Sequence, residues 1–393
     1  MNNLLVLRAG HVFDGERSIG QASVLIQDGQ VRDVDTSGAE VPAGAEVIDF
    51  GPDASMLPGL IDAHVHLAFD ASADVVTSLT ACDDDALLDQ MEVAAKRMLR
   101  SGVTTVRDLG DRNYLSLSLA ERSRATGGAI IPDIVAAGPP ITSSGGHCHF
   151  LGGEAEGAAA LLAAVQERAG RGCEVVKVMV SGGNLTPGSR PHESQYDLAA
   201  LRIVVDAARE AGLRTAAHVH GARAVTDAVE AGFDTLEHVT FFTADGVQPE
   251  PGMLDRIAAR DMVVSVTVGL MPGAPEPPPA MRQRLADIVA NHGRMFRAGA
   301  TMVPGTDAGV NPAKPHDVMP YALRALVDQV GMTPQQALRA ATSVAAKAVG
   351  RGSKGRIAAG ADADVLVVQG NALADMTAVT NVSAVFKGGI RIR

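Results

Sequence analysis

Tryptophan is absent from the 393 residues, and Phe and Tyr bring the aromatic share to only 3%. Stacking on aromatic platforms is therefore not an expected binding mode. Cysteine occurs three times, at Cys82, Cys148 and Cys173, with no C-x-x-C spacing. So sparse and odd a set excludes a disulfide framework and fits a reducing compartment, which makes a cytoplasmic location the expectation. Basic runs are missing as well, and the formal net charge is −11. No nucleic-acid partner is expected, because phosphate binding relies on clustered Lys and Arg. No uncharged apolar stretch is long enough to span a bilayer, and Met1 to Arg8 lacks a basic segment followed by a long apolar one. Neither a membrane anchor nor a secretory signal is expected. What remains, 46% hydrophobic and 20% charged, is the composition of a globular chain long enough to bury a large core.

Two ends read alike. Leu4 to Leu7, Ala22 to Ile26 and Val31 to Val34 are short strand-like runs punctuated by Asp14-Gly15 and Asp28-Gly29. Asp364 to Val368, Val382 to Lys387 and Ile390 to Arg393 repeat the pattern. Each piece alone is too small for a stable sheet core, so a single β-sandwich module built from 1–56 and 346–393 is expected. Between them, candidate strands begin at Leu60, Thr104, Asp133, Glu174, Arg214, Asp234, Met262 and Thr301. Helical runs lie at Leu87 to Ser101, Ala158 to Ala169, Leu198 to Ala211, Ala222 to Ala231 and Met281 to Ala298, several closing on glycine at 102, 170, 212, 232 and 299. The expectation for 57–345 is an α/β fold, a (β/α)8 TIM-like barrel. A proline-rich stretch, Pro272, Pro275 and Pro277 to Pro279, reads as a rigid extended loop over a site.

Polar side chains inside apolar strands are costly unless they are satisfied or used. In Leu60-Ile-Asp-Ala-His64-Val-His66-Leu67 the two imidazoles are two residues apart and share one face of a strand. Neutral imidazoles converging from one strand suit a zinc-type metal, although a hydrogen-bonded core pair would leave the same trace. Lys177 stands within Glu174-Val-Val-Lys-Val-Met-Val180, His218 and His220 within Thr215-Ala-Ala-His-Val-His-Gly221, His238 ends Thr235-Leu-Glu-His, and Asp307 ends Met302-Val-Pro-Gly-Thr-Asp. Most fall near strand C-terminal ends, the face on which barrel active sites are built. Burial pushes a lysine toward neutrality. Carbamylation would turn it into an anion whose two oxygens can span two cations, whereas a buried ion pair with Glu237 is the alternative. Asp307 could equally cap the segment that follows it.

This ordered series, from His64-x-His66 to Gly305-Thr-Asp307, is similar to that of the amidohydrolase superfamily, in the branch of imidazolonepropionase-like enzymes, Xaa-Pro dipeptidases and ochratoxin-type amidases. The resemblance covers nearly the whole chain, the split β-module included. It implies two divalent ions, zinc by ligand type with manganese and iron also compatible. His64 and His66 would hold one ion, His218 and His238 the other, and a carbamate on Lys177 would bridge them. Asp307 would contact the first ion and take the proton of the bridging water. His218 is preferred over His220 because His218 and His238 match the family's twenty-residue spacing, which leaves His220 one layer away, free for substrate.

The loops carry the remaining candidates. Thr142-Ser-Ser-Gly-Gly-His-Cys-His149 resembles the family's Gly-Gly-His loop, which makes His147 the residue expected to polarise the substrate carbonyl. Cys148 between two histidines raises the alternatives of a nucleophile or a third metal site, and His149 could be an outer contact or exposed. In the loop from Ser181 to Tyr196, Arg190 and His192 could meet a substrate carboxylate or lie in solvent, with Tyr196 a further candidate contact. His316 resembles a family histidine beyond the eighth strand, while His11, His292 and Glu193 read as surface residues. Dipeptidase relatives often carry Tyr at the place of His220, which weighs against a Xaa-Pro preference.

The expected protein is thus a binuclear metal-dependent hydrolase of amide or peptide-like C–N bonds, such as those of dipeptides or N-acyl amino acids. Its partner is a small-molecule amide or peptide, and a homo-oligomer is compatible with the sequence. The enzymatic alternative is a lactam or amidine hydrolase of the imidazolonepropionase type or an aminohydrolase, which lacks the bridging lysine. A non-catalytic scaffold of the same fold is the other, and it would be expected to have lost ligands.

Overall fold

The computed structural model describes residues 4–393 apart from 126, 129, 277 and 278. Five strands open the chain: β1 (Leu5–Phe13), β2 (Ser18–Gln27), β3 (Gln30–Asp35), β4 (Glu46–Asp49) and β5 (Ala54–Pro58). Eight parallel strands follow: β6 (Leu60–Val65), β7 (Val103–Asp108), β8 (Asp133–Ala136), β9 (Val175–Met179), β10 (Arg214–Gly221), β11 (Thr235–Phe242), β12 (Val263–Val266) and β13 (Thr301–Pro304). Strands β14 (Val365–Gln369), β15 (Val382–Lys387) and β16 (Ile390–Arg391) close the chain.

The parallel strands pair in two arcs, β6-β7-β8 and β9 through β13. Bridges between Ile141 and Val178 and between Val65 and Ala308 join the arcs into a ring. Helices α1 (Val75–Ala81), α2 (Asp84–Arg100), α3 (Leu115–Ala125), α4 (Gly157–Arg171), α5 (Leu198–Glu210), α6 (Ala222–Ala231), α7 (Met253–Ala258) and α8 (Pro279–Arg297) lie between successive strands. After β13 come α9 (Met319–Ala325), α10 (Pro334–Arg339) and α11 (Ala345–Ala348). This is the TIM-like barrel expected from the alternation. Helix α2 shows why these segments are helical. Asp83 caps Ala86 N at 2.8 Å, Asp84 and Asp85 occupy the first turn, Arg97 and Arg100 the last, and Leu87, Met91, Ala95 and Met98 bury one stripe.

The terminal strands form one continuous sheet in the order β16-β15-β14-β5-β1-β2-β3, with β4 beside β1. Its two halves enclose a core of their own, in which Leu7, Val24 and Val31 meet Met56, Val365 and Phe386. The β-sandwich of both termini is therefore real. Packing on the barrel side continues past 345, because Ala346, Ala348 and Val349 cluster with Ile61, Ala63 and Val303.

Several local expectations change. Helix α4 runs through Gly170 to Arg171 and is capped at Gly172, with φ +88°. Short helices α1, α3 and α7 carry too few periodic apolar positions to be read from sequence. Of the proline stretch, Pro277 and Pro278 lie outside the described residues, and Pro279 opens α8 rather than extending a loop. Proline fits there because a first-turn N–H has no helical partner. No helix among the described residues is long and apolar enough to cross a membrane.

A buried cation ties the sheet to the barrel. Lys354 Nζ lies 2.5 Å from Asp133, 2.7 Å from Asp364 and 3.0 Å from Asp362, and Lys387 Nζ lies 2.9 Å from Asp133. Burial alone would raise the Asp133 carboxyl, but the two ammonium groups hold it below the usual carboxylate range. Burial would likewise lower Lys354, yet Asp364 and Asp133 hold it above the usual lysine value. Stability from Asp133 is therefore complete above its unfolded pKa and lost as pH falls through its depressed folded value, while that from Lys354 is complete below its unfolded pKa and lost as pH rises through its raised one. We expect Lys354→Ala to cost about 2 kcal/mol at pH 7, less than the roughly 3–5 kcal/mol of a fully buried pair because two of the three acids, Asp133 and Asp362, are partly exposed. Urea denaturation of the two proteins from pH 3 to 7 should show the difference shrinking below about pH 4.

Candidate metal centre and active site

The closing of the ring builds the site. Asp307 N donates to His64 O at 2.8 Å and His66 N to Ala308 O at 3.0 Å, so β13 and β6 meet where their polar residues stand. A Cβ at Gly305 would lie 2.6 Å from His64 Cβ and 2.3 Å from Ser265 Oγ, so only glycine permits that approach. Asp307 then adopts φ +57°, a left-handed conformation uncommon outside glycine. Its Oδ1 comes to 3.6 Å from His64 Nε2 and 3.4 Å from His66 Nε2.

The far nitrogens of both histidines are held. His64 Nδ1 pairs with Glu237 Oε2 at 3.0 Å and His66 Nδ1 with Gly110 O at 3.2 Å. Asp108 accepts from Leu67 N at 2.9 Å and Gly110 N at 3.0 Å, clamping the peptides around His66. His316 Nε2 reaches His66 O at 3.2 Å, so it supports the site from behind.

Strands β10 and β11 bring a second cluster. One nitrogen of each of His218, His220 and His238 lies within 4.8 Å of the others, and the same holds for the ligand atoms of His64, His66 and Asp307. His238 Nε2 and His218 Nδ1 are 3.0 Å apart. The opposite nitrogens are engaged, His218 with Gly182 O at 3.3 Å, His220 with Thr240 Oγ1 at 3.0 Å and His238 with Thr267 Oγ1 at 2.9 Å. The expectation that His220 stands a layer away is not met: its ring stacks on His238 with centroids 4.3 Å apart. Tight β10–β11 pairing, with a register shift beyond Val219, turns it inward. The two clusters adjoin, with the His64 and His238 rings 5.0 Å apart.

Burial lowers every imidazole here, His66 and His220 to about 4 and His218 and His238 well below the ordinary value with help from neighbouring rings. They are neutral donors of lone pairs, the state a metal needs. Burial would raise the Asp307 carboxyl, but His64, His66, Lys314 and Lys177 together keep it below the usual range.

Lys177 is fully buried on β9, and its Nζ has no hydrogen-bond partner among the described residues. Burial lowers it to about 8. Glu237 makes no direct contact with Lys177: its oxygens are taken by Arg107 at 2.9 Å, Thr235 Oγ1 at 2.8 Å and His64, and it acts on the lysine only through its charge.

Arg107 was not among the sequence candidates. It is 1% exposed and also donates to Ala63 O at 2.7 Å and Thr235 Oγ1 at 3.1 Å. Its only trace in sequence is a charge inside Val103-Thr-Thr-Val-Arg107. Asp62 was missed likewise; it accepts from Thr306 N at 2.9 Å and Thr306 Oγ1 at 2.6 Å, and burial raises it to about 6. Gln195 stitches the 142–149 loop to β9 through Thr142 Oγ1 at 3.1 Å and Met179 O at 2.6 Å.

A cavity of about 960 Å³ opens over both clusters and is lined by His66, Asp307, His147, His218, His220 and His238. His147 is buried there, its ring 4.8 Å from His218, and its Nδ1 has no partner among the described residues. Burial lowers it to about 3. A Cβ at Gly183 would lie 2.3 Å from that ring, so this glycine makes room for it. Cys148 also lines the cavity, where burial pushes its thiol up to about 12, and it joins neither cluster.

Other loop candidates are not brought to the cavity. Arg190 is exposed and faces Glu193 at 3.4 Å, and His192 lies 3.9 Å from the same carboxylate. Tyr196 is buried and donates to Ala155 O at 2.8 Å. None of the three lines the cavity, nor does His316. His149 is half-buried in a single 3-10 turn. His292, read as a surface residue, is 2% exposed and contacts His238 O through Nε2 at 2.8 Å. It lies on the inner face of α8, which the neighbouring charges disguise.

The amidohydrolase family's sequence model matches residues 55–391. Ochratoxinase of Aspergillus niger is 28% identical over 371 residues, covering 85% of this chain and 75% of that one. Imidazolonepropionase of Salinispora tropica is 26% identical over 411 residues, covering 94% and 92%. Among solved structures, a Xaa-Pro dipeptidase with bound methionine in its active site superposes over 99% of both chains with a TM-score of 0.86 and 25% identity.

Removing the guanidinium of Arg107 would leave Glu237 a buried anion with one partner fewer. We expect Arg107→Leu to destabilise the protein by about 3–5 kcal/mol, whereas the double variant Arg107→Leu with Glu237→Leu should recover part of that loss. Chemical denaturation of the three proteins measures both.

Proposed function

Because the chain belongs to the amidohydrolase family and is a hydrolase of C–N bonds, we propose that it cleaves amide or peptide-like bonds of small molecules at a binuclear metal centre. The observation that carries the reading is Lys177, a buried amine with no hydrogen-bond partner among the described residues, whose charge acts on both groups of ligand-capable side chains. A plain lysine there is left with three unsatisfied donor positions in an apolar strand. As a carbamate it would present two oxygens toward both groups, so the residues fit two divalent ions. His64, His66 and Asp307 would hold one, and His218 and His238 the other. Imidazole and oxygen donors suit zinc. Such ions would supply Lewis-acid polarisation of the carbonyl and a lowered water pKa.

The chain's own groups do the rest. His147, neutral and lining the cavity, donates an N–H to the substrate carbonyl oxygen as negative charge develops there. Asp307 is held ionised beside His64 and His66 and takes the proton of the attacking water. It then returns that proton to the leaving nitrogen, which would otherwise depart as a poor anion. Glu237 and Gly110 O hold the tautomers of His64 and His66 that leave both Nε2 atoms unprotonated. The unpaired cysteines support a reducing, cytoplasmic setting.

His220 offers a second reading of the second ion's ligands, since it shares the cluster of His218 and His238. Protein prepared without chelators should contain about two divalent ions per chain by elemental analysis, as two-metal hydrolases do. Lys177→Ala should fall to one or none, with activity partly restored by added short carboxylic acids. His218→Asn should lose an ion and His220→Asn should keep both; the reverse pattern would transfer the ligand role to His220.

Asp307→Asn tests the proton transfer. Its kcat should fall by roughly 10²–10⁴-fold, the usual contribution of general acid–base catalysis. A variant that keeps wild-type kcat with its ions bound would remove Asp307 from the mechanism.

A further inference from the structure

One wall of the cavity is far longer than a small amide needs. Met281, Leu285, Ile288, Val289 and His292 on α8 are spaced i, i+4, i+7, i+8 and i+11, so they share one helix face, and all five line the cavity. The face begins at the metal-binding cluster, where His292 contacts His238 O at 2.8 Å. From His292 to Met281 it runs about 16 Å, at roughly 1.5 Å per residue. A fully extended dipeptide spans only about 7 Å. Phe242 joins the wall to the histidines, its ring 5.8 Å from that of His220.

The wall is also wet where it should be dry. Met281 is 38% exposed and Leu285 41%, and Leu270, on the loop after β12, is 49% exposed. These three are among only eight large hydrophobic residues so exposed in the described structure, and all three border this one cavity. Scattered exposed apolar residues need no explanation, but a contiguous row leading out of a polar site is a binding surface. The facing segment carries both Arg324 and Asp328, so it offers a charged chain no net attraction.

We propose that the substrates are amides bearing a long apolar group, which lies along α8 from the scissile carbonyl toward Met281 and covers Leu270 and Leu285. This rests on the amide-hydrolase reading above and adds the substrate class. Burial of methylenes along the wall supplies the selectivity, and no polar recognition beyond the metal-side groups is required.

The test is a chain-length series on the metal-loaded protein, with N-acylglycines from acetyl to decanoyl and N-alkylacetamides from methyl to decyl. In one of the two series kcat/KM should rise by up to about fourfold per methylene and by at least about a hundredfold in all. Flat or falling values in both series overturn the proposal. Leu285→Asp should lower the ratio of the longest to the shortest substrate by at least about tenfold. Leu162→Asp, at a leucine equally exposed on α4 and outside the cavity, should keep that ratio, and an equal loss there overturns the assignment to α8. Should no amide of any length be cleaved, the proposed function itself falls. Calorimetry then judges the wall alone: decanoate should bind at least about a hundredfold more tightly than acetate, and equal binding overturns the inference.

Discussion

Glu237 is the residue on which the site's geometry turns. Its carboxylate is completely buried, and its two oxygens are divided between Arg107 and Thr235 on one side and His64 on the other. Burial alone would raise its pKa, yet Arg107, His64 and Lys177 hold it far below the usual carboxylate range. A buried anion so satisfied is rigid, because any movement strands a charge in a low-dielectric interior. It carries that rigidity to the imidazole of His64, across the barrel from β11 to β6. Arg107 on β7 extends the same link to the backbone of β6 through Ala63 O. Three strands are thereby registered by one polar chain beneath the floor of the site.

Above that floor, the ring closes through peptide groups rather than side chains. Strand β13 reaches β6 at Gly305 and Asp307, and the left-handed backbone at Asp307 is the consequence of turning a carboxylate back toward the histidines it has just passed. His238 shows the same conformation, φ +70°, and its carbonyl is met by His292. Strained backbone at one position in each of the two clusters is paired with specific contacts that hold it, as is common where geometry serves chemistry. Lys177 is the exception, a buried amine whose Nζ meets no hydrogen-bond partner among the described residues.

Much of this was legible in the chain. A period-2 pair such as His64-x-His66 survives folding because neighbouring strand residues alternate faces whatever the register. The eight parallel strands and the β-module from both termini were legible for a similar reason, since each depends on local pattern and length. Among the loop candidates only His147 and its neighbour Cys148 came to the cavity. Arg190, His192 and Tyr196 follow a strand that carries the site, but the loop turns them to solvent or into Ala155, away from the cavity. His292 was obscured because the charged residues around it on α8 make its segment read as a solvent-facing one.

The sequence by itself determined the kinds of polar side chain and their order along the strands, because side-chain chemistry and alternation are properties of short segments. Only the tertiary structure decided that His220 stands beside His218 and His238, that Arg107 occupies Glu237 and so leaves Lys177 without a partner, and that α8 turns an apolar face to the cavity. Each of these depends on which distant strands and helices meet, and on how a limited number of buried polar atoms are shared among them. No single segment contains that allocation. It is settled when the barrel closes.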